Sequence, residues 1–184
     1  MTRTILITGA TDGIGLLTAR MLAEAGHEVL LHGRSTAKLD AAREAIGGQV
    51  RGYRADLSSL SETAALAEAV RADHGRLDVL INNAGVLKTP NPRLPDGQDV
   101  RFVVNTLAPY VLARALLPII PREGRIINLS SAAQAPVDPR AMWGGVPLAD
   151  MEAYAQSKLA ITIWTQEMAR ALPDGPAVIA VNPG

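Results

Sequence analysis

The 184-residue chain contains no cysteine. That excludes disulfides, thiolate metal sites and a cysteine nucleophile, and it makes a reducing compartment the natural home. Net charge is also missing, since eighteen basic residues cancel eighteen acidic ones. Without a broad basic field, neither nucleic acid nor an anionic membrane is expected as a partner. Long apolar runs are absent too. Ile5-Leu6-Ile7 is too short for a signal-peptide core, and the stretch from Tyr110 to Ile120 is interrupted by Arg114 and Pro118, which argues against a membrane span. His27, His32 and His74 show no metal-ligand spacing, so structural or exposed roles are expected for them and no metal. What is there is apolar enough to fold: 48% of residues are hydrophobic, sufficient for one domain with a substantial core. A soluble, cytoplasmic protein is expected.

Short β-rich runs alternate with longer Ala/Leu-rich segments of helical period. Strands are expected at 4–8, 28–32, 50–54, 78–82, 125–129 and 177–181. Helices are expected at about 13–25, 36–46 and 151–172. A further helix should start after Ser58 or Ser59 and run to about His74, with Glu62 placed for a capping box. Another should run from about Gly97 to Ile119, bent or interrupted near Pro109. Prolines and glycines mark 88–95 and 131–150 as loops. Such alternation requires crossover connections, hence a three-layer, doubly wound parallel sheet of the Rossmann kind.

Between the first strand and first helix stands Thr8-Gly9-Ala10-Thr11-Asp12-Gly13-Ile14-Gly15. Glycines at such a turn let the backbone approach a pyrophosphate, and the helix N-terminus offers N–H groups and partial positive charge. Further on, Tyr154 and Lys158 lie four residues apart on a predicted helix and share one face. A free phenol, with a pKa near ~10, is a poor base at neutral pH. Lowering that value by three units takes about 4 kcal/mol, which an ammonium roughly 4 Å away supplies at an effective dielectric near ~20. One well-placed lysine is enough to make the phenol a usable general acid/base.

These motifs, in this order, resemble the short-chain dehydrogenases/reductases. Thr-Gly-x3-Gly-Ile-Gly is similar to the family's cofactor turn, carried here by Gly9, Thr11, Asp12, Gly13, Ile14 and Gly15. Asp56-Leu57 resembles the pair beside the adenine ring. Asn82-Asn83-Ala84-Gly85 follows the fourth strand as the family's Asn-Asn-Ala-Gly does, with Asn83, Ala84 and Gly85 on the cofactor. Asn182-Pro183-Gly184 ends the sixth strand like the family's Pro-Gly motif, placing Pro183 and Gly184 there as well. The resemblance implies a catalytic set of Asn105, Ser131, Tyr154 and Lys158. Tyr154 would exchange the proton with the substrate oxygen. Lys158 would also hold the nicotinamide ribose, Ser131 would orient the substrate carbonyl, and Asn105 would order a water that relays protons to Lys158. Ser131 is preferred to Ser130 because the family uses the second serine of the pair.

An arginine at the end of the second strand suits the 2′-phosphate of NADP, where an acid would suit NAD. Arg34 stands there with no acid beside it, so NADP(H) is favoured, with NAD(H) the alternative; Asp12, where many NADP-dependent relatives carry Lys or Arg, points the other way. The 23 residues from Ser131 to Tyr154 form a longer loop than in compact members. This is similar to the retinol-dehydrogenase-like branch and implies a small apolar alcohol or carbonyl substrate, with Met142 and Trp143 as candidate pocket residues. Two other functions stay open: a dinucleotide-binding regulatory protein without turnover, and a sugar-nucleotide epimerase or dehydratase, which also uses Tyr-x3-Lys. The resemblance further implies a homo-oligomer formed through the helices beginning near Gly97 and Met151. It also implies a substrate-covering C-terminal segment, absent from these 184 residues, that would leave the sixth strand an apolar edge.

Overall fold

The computed structural model describes residues 1–183. Six strands, β1 (Thr4–Ile7), β2 (Glu28–Gly33), β3 (Val50–Arg54), β4 (Val79–Asn82), β5 (Arg125–Leu129) and β6 (Ala177–Val181), form one sheet in the order β3-β2-β1-β4-β5-β6. Every pairing is parallel. Successive strands must therefore be joined by crossovers, and α1 (Gly13–Glu24), α2 (Thr36–Ile46) and α3 (Leu60–Asp73) supply the first three.

Residue alternation along the strands decides which helix covers which face. Leu6, Leu30, Leu80, Ile126 and Val178 point to one side, where Leu66 and Val70 of α3, Leu112 and Leu116 of α5 (Ala108–Leu116) and Met168 of α7 (Asp150–Ala171) bury them. Ile5, Ile7, Val29, Leu31 and Val79 point to the other side and meet Ala19 of α1 and Leu39 of α2. No helix among the described residues covers this second face over β5 and β6. Ile179 is accordingly 39% exposed, and β6 is the expected apolar edge.

Two elements differ instructively from expectation. Ser59, not Ser58, caps α3, accepting the Glu62 N–H at 3.2 Å. The reciprocal half of the capping box is not made, because the Glu62 carboxylate accepts from the Asp56 N–H and from Arg54. The helix expected from Gly97 begins at Val100, since Asp99 caps it, and runs as α4 (Val100–Phe102) into a π turn at Val103–Leu107 before α5. The interruption thus lies upstream of Pro109. Proline has no N–H to give the Asn105 carbonyl, and Ala108 N–H reaches back five residues to Val103. In the 131–150 loop a single turn, α6 (Pro139–Met142), forms behind an Asp138 cap. The segment Val100–Ile119 is apolar and long enough to cross a membrane, with a mean hydropathy of 1.5, yet over half of it is buried inside the domain. A core helix passes the same test.

Candidate active site

β1 and β4 are neighbours whose chains continue to opposite faces of the sheet, α1 to one and α4 to the other, which opens a crevice at their carboxyl ends. Most of the predicted site residues lie on the strand ends and loops around it. Gly9 has φ +64°, a left-handed conformation that favours glycine. Gly15 is held for a different reason: a Cβ there would lie 2.3 Å from the Gly9 carbonyl oxygen, so the helix can start this close to the turn only without a side chain. Asp12 caps α1, its Oδ1 accepting the Gly13 N–H at 2.8 Å, and Ile14 is exposed at the mouth of the turn. Thr11 packs over Gly33 at the end of β2.

The other side of the crevice is stapled to this turn. Thr8 Oγ1 accepts the N–H groups of Asn83 and Ala84, both at 3.0 Å. The Asn83 amide donates to the carbonyls of Thr8 and Gly9 at 2.9 and 3.1 Å. The Asn83 side chain therefore serves the turn itself, and Thr8, the opening residue of the turn motif, is a further site-forming residue. Beyond β3, Asp56 accepts from the N–H and hydroxyl of Ser58 at 2.9 and 2.8 Å. Burial would raise its pKa, but those bonds and the guanidiniums of Arg34 and Arg54 hold it below the usual carboxylate range. Leu57 turns into the core. Arg34 is exposed just past β2, and Lys38 of α2 lies 3.6 Å from Asp12. Pro183 is exposed after β6, and Gly184 lies outside the described residues.

Tyr154 and Lys158 face this crevice from α7. Lys158 Nζ sits 5.6 Å from the centre of the Tyr154 ring and donates to the Leu129 carbonyl at 2.6 Å. Lys158 is only 4% exposed, and burial pushes its pKa down to about 8. Gly85 lies beside Lys158 and Asn105, where a Cβ would meet Lys158 Nζ at 3.6 Å and Asn105 Oδ1 at 3.5 Å. Asn105 stands in the π turn with its amide fully engaged. Its Oδ1 accepts from Val86 N–H at 2.7 Å, and its Nδ2 donates to the Val86 carbonyl and to Ser157 Oγ. Ser157 in turn donates to the Tyr154 carbonyl at 2.7 Å.

Of the two serines after β5, Ser130 is buried and bonded to Thr162 and the Lys158 carbonyl, whereas Ser131 is half-buried, its Oγ accepting from Ala133 N–H and its carbonyl from Gln134 Nε2. A cleft of about 720 Å³ does not include Ser131, Tyr154 or Lys158. It runs between α5 and α7 past Tyr110, Met142, Trp164 and Met168. Trp143, at the end of α6, is exposed.

Strand order, glycine turn and a Tyr/Lys pair across one crevice define a Rossmann-type α/β domain. Its family follows from comparison: the short-chain dehydrogenase profile matches residues 3–184, and the chain belongs to that family. Human retinol dehydrogenase 13 is 37% identical over 193 residues, an alignment covering 99% of this chain and 58% of the relative. A short-chain dehydrogenase of Gibberella zeae is 34% identical over 186 residues, covering 98% of this chain and 70% of the relative. Among solved structures, a metagenomic short-chain oxidoreductase in complex with NADP superposes with a TM-score of 0.81 at 36% identity, covering 99% of this chain and 82% of that one. A protein of Mycobacterium paratuberculosis reaches a TM-score of 0.88 at 35% identity, covering 99% and 68%. The chain spans about three fifths of the length of the curated retinol dehydrogenases it matches.

Proposed function

We propose that the protein is an oxidoreductase transferring hydride between NADP(H) and the C=O or CH–OH carbon of a small apolar substrate. The observation that carries this reading is the Tyr154–Lys158 pair on one face of α7, opening on the same crevice as the glycine turn. The residues fit a dinucleotide. Gly9 and Gly15 leave a bare backbone surface, and the start of α1 favours an anionic pyrophosphate. Arg34, with Lys38 nearby, places cations at the end of β2 where a 2′-phosphate would lie, so NADP(H) is favoured over NAD(H) despite Asp12.

When bound, the dinucleotide supplies or accepts the hydride. Tyr154 Oη moves the proton to or from the substrate oxygen. Lys158, protonated at neutral pH, sets a positive charge beside the Tyr154 ring. Ser131 Oγ is free enough to donate to the substrate oxygen, because Ser130 takes up the packing contacts with α7. Asn105 acts through position: its amide ties Val86 to Ser157, and so the loop after β4 to the turn of α7 that carries Tyr154. A homo-oligomer in the cytoplasm is part of this reading, its self-association supported by the apolar cleft along α5 and α7.

Parallel titrations with NADPH and NADH test the cofactor assignment. Wild-type protein should bind NADPH more tightly, and Arg34→Ala should lose roughly tenfold or more in NADPH affinity while leaving NADH nearly unchanged. Equal losses for both dinucleotides would remove Arg34 from the phosphate.

A further inference from the structure

His32 ends the buried run Val29-Leu30-Leu31 of β2, a position where an apolar residue would pack without cost. It is 2% exposed, and both ring nitrogens are engaged. Nδ1 lies 3.2 Å from the Gly9 N, an N–H that can only donate, so Nδ1 must be the bare acceptor. Nε2 lies 3.0 Å from the Ala55 carbonyl oxygen, which can only accept, so Nε2 must carry the hydrogen. One neutral tautomer satisfies both. His32 also accepts the Ala10 N–H at its own carbonyl, 2.9 Å away. Gly9 is consequently gripped from both sides, its N–H by His32 and its carbonyl by Asn83.

We infer that His32 is a positioning residue for the dinucleotide site, locking the glycine turn to the end of β3 and making nucleotide affinity depend on its remaining neutral. The inference rests on the reading of the crevice as a dinucleotide site. A second proton would go on Nδ1 and set N–H against N–H at Gly9, pushing the turn away from the conformation that receives a pyrophosphate. Burial opposes that proton and holds the ring below the ordinary histidine range. The charged groups facing the ring are Asp56 after β3, which favours the proton, and Arg34 after β2, which opposes it; β1 and the glycine turn meet it with the Gly9 N–H. The fold thus resists a proton that the unfolded chain accepts near pH ~6.5, so stability falls as pH drops below that value, whereas nucleotide affinity falls only at the lower pH where the folded ring is itself protonated.

The test is an NADPH titration from pH 7.5 to 5 on three proteins: wild type, His32→Leu and His32→Asn. Nitrogen NMR of the ring is recorded in the wild type, and thermal melts confirm that the variants are folded. His32→Leu removes the acceptor and should weaken binding at pH 7.5 by about tenfold, the loss of one buried hydrogen bond. His32→Asn offers Oδ1 in place of Nδ1 and should restore affinity. It should also show a flatter acid limb than wild type, since the titration of the dinucleotide itself is common to both. The spectrum should show hydrogen on Nε2 alone at pH 7.5. Hydrogen on Nδ1, or wild-type affinity and pH dependence in His32→Leu, would overturn the inference and leave the dinucleotide site intact. Failure of the wild type to bind NADPH at pH 7.5 would instead sink the reading of the site, and the binding role of His32 with it.

Discussion

Lys158 illustrates how a single residue here is held at the expense of stability. Its ammonium is buried against the Leu129 carbonyl with no carboxylate among its hydrogen-bond partners, and burial lowers its pKa from 10.5 to about 8. At pH 7 that depression costs about 3 kcal/mol. Lys158→Met should therefore raise stability at pH 7 by roughly 1 to 3 kcal/mol in urea denaturation while abolishing turnover. The sign of the pH dependence follows from proton counts. Between pH 8 and 10.5 the unfolded chain holds the extra proton, so wild-type stability gains on that of the variant as pH rises through this window. A variant that is less stable at pH 7 would contradict the assignment. Gly15 makes the opposite kind of demand. Gly15→Ala should drive its Cβ into the Gly9 carbonyl, and NADPH affinity should fall more than about tenfold, read by titration. At this scale the sequence pointed to Tyr154 and Lys158 through their chemistry and spacing, and to Ser131 through the family resemblance; the fold sets Tyr154 beside Lys158. The sequence was silent where a residue works by gripping backbone. Thr8 opens the turn motif but has no chemistry that marks its backbone grip, and His32 belongs to no motif, although a histidine closing the apolar run of β2 was a visible signal.

Among the elements, α7 does most to assemble the site, and its first turn is anchored by a buried charge cluster. Arg101 of α4 is 1% exposed and donates to both oxygens of Asp99, at 2.8 and 2.6 Å, and to Asp150 in the first turn of α7 at 2.5 Å. Asp150 precedes Tyr154 by one helical turn, so Arg101 fixes where the phenol starts. Truncating Arg101 to Ala would strand Asp99 in the interior, a loss of about 3–5 kcal/mol in the denaturation free energy. Asp150→Asn, whose carboxylate is partly exposed, should cost under about 1 kcal/mol. Comparable losses for the two would mean that the Arg101–Asp150 pair, and not the buried charge of Asp99, carries the stability. Helix periods and strand alternation placed all six strands and the five long helical segments to within a few residues, and missed the single turn α6 in a stretch expected to be a loop. The π turn escaped because its cause is an absent N–H on Pro109 combined with packing around Asn105, which periodicity does not encode. Glu62 likewise satisfied the capping-box spacing yet turned to Asp56 and Arg54, partners that only the fold brings within reach.

For the molecule as a whole, doubly wound topology could be read from alternation alone, because parallel strands leave few other solutions. What alternation does not supply is what covers the outer surfaces. The cleft between α5 and α7 exposes Tyr110 and Ile163 beside Trp164, an apolar surface consistent with the proposed self-association. Light scattering should show a mass above one chain, and Ile163→Arg should lower it; a monomer at all concentrations would remove the oligomer from the account. The central claim is that the Tyr154 hydroxyl, beside Lys158 and across from the glycine turn, carries the proton of a hydride-transfer reaction. Its most direct measurement is the change in reduced-nicotinamide absorbance during turnover of apolar aldehydes and ketones, set against NADPH affinity, in wild type and Tyr154→Phe. The account predicts a rate loss of roughly a hundredfold to ten-thousandfold at unchanged NADPH affinity. Turnover surviving the substitution, or affinity and turnover lost together, would contradict it.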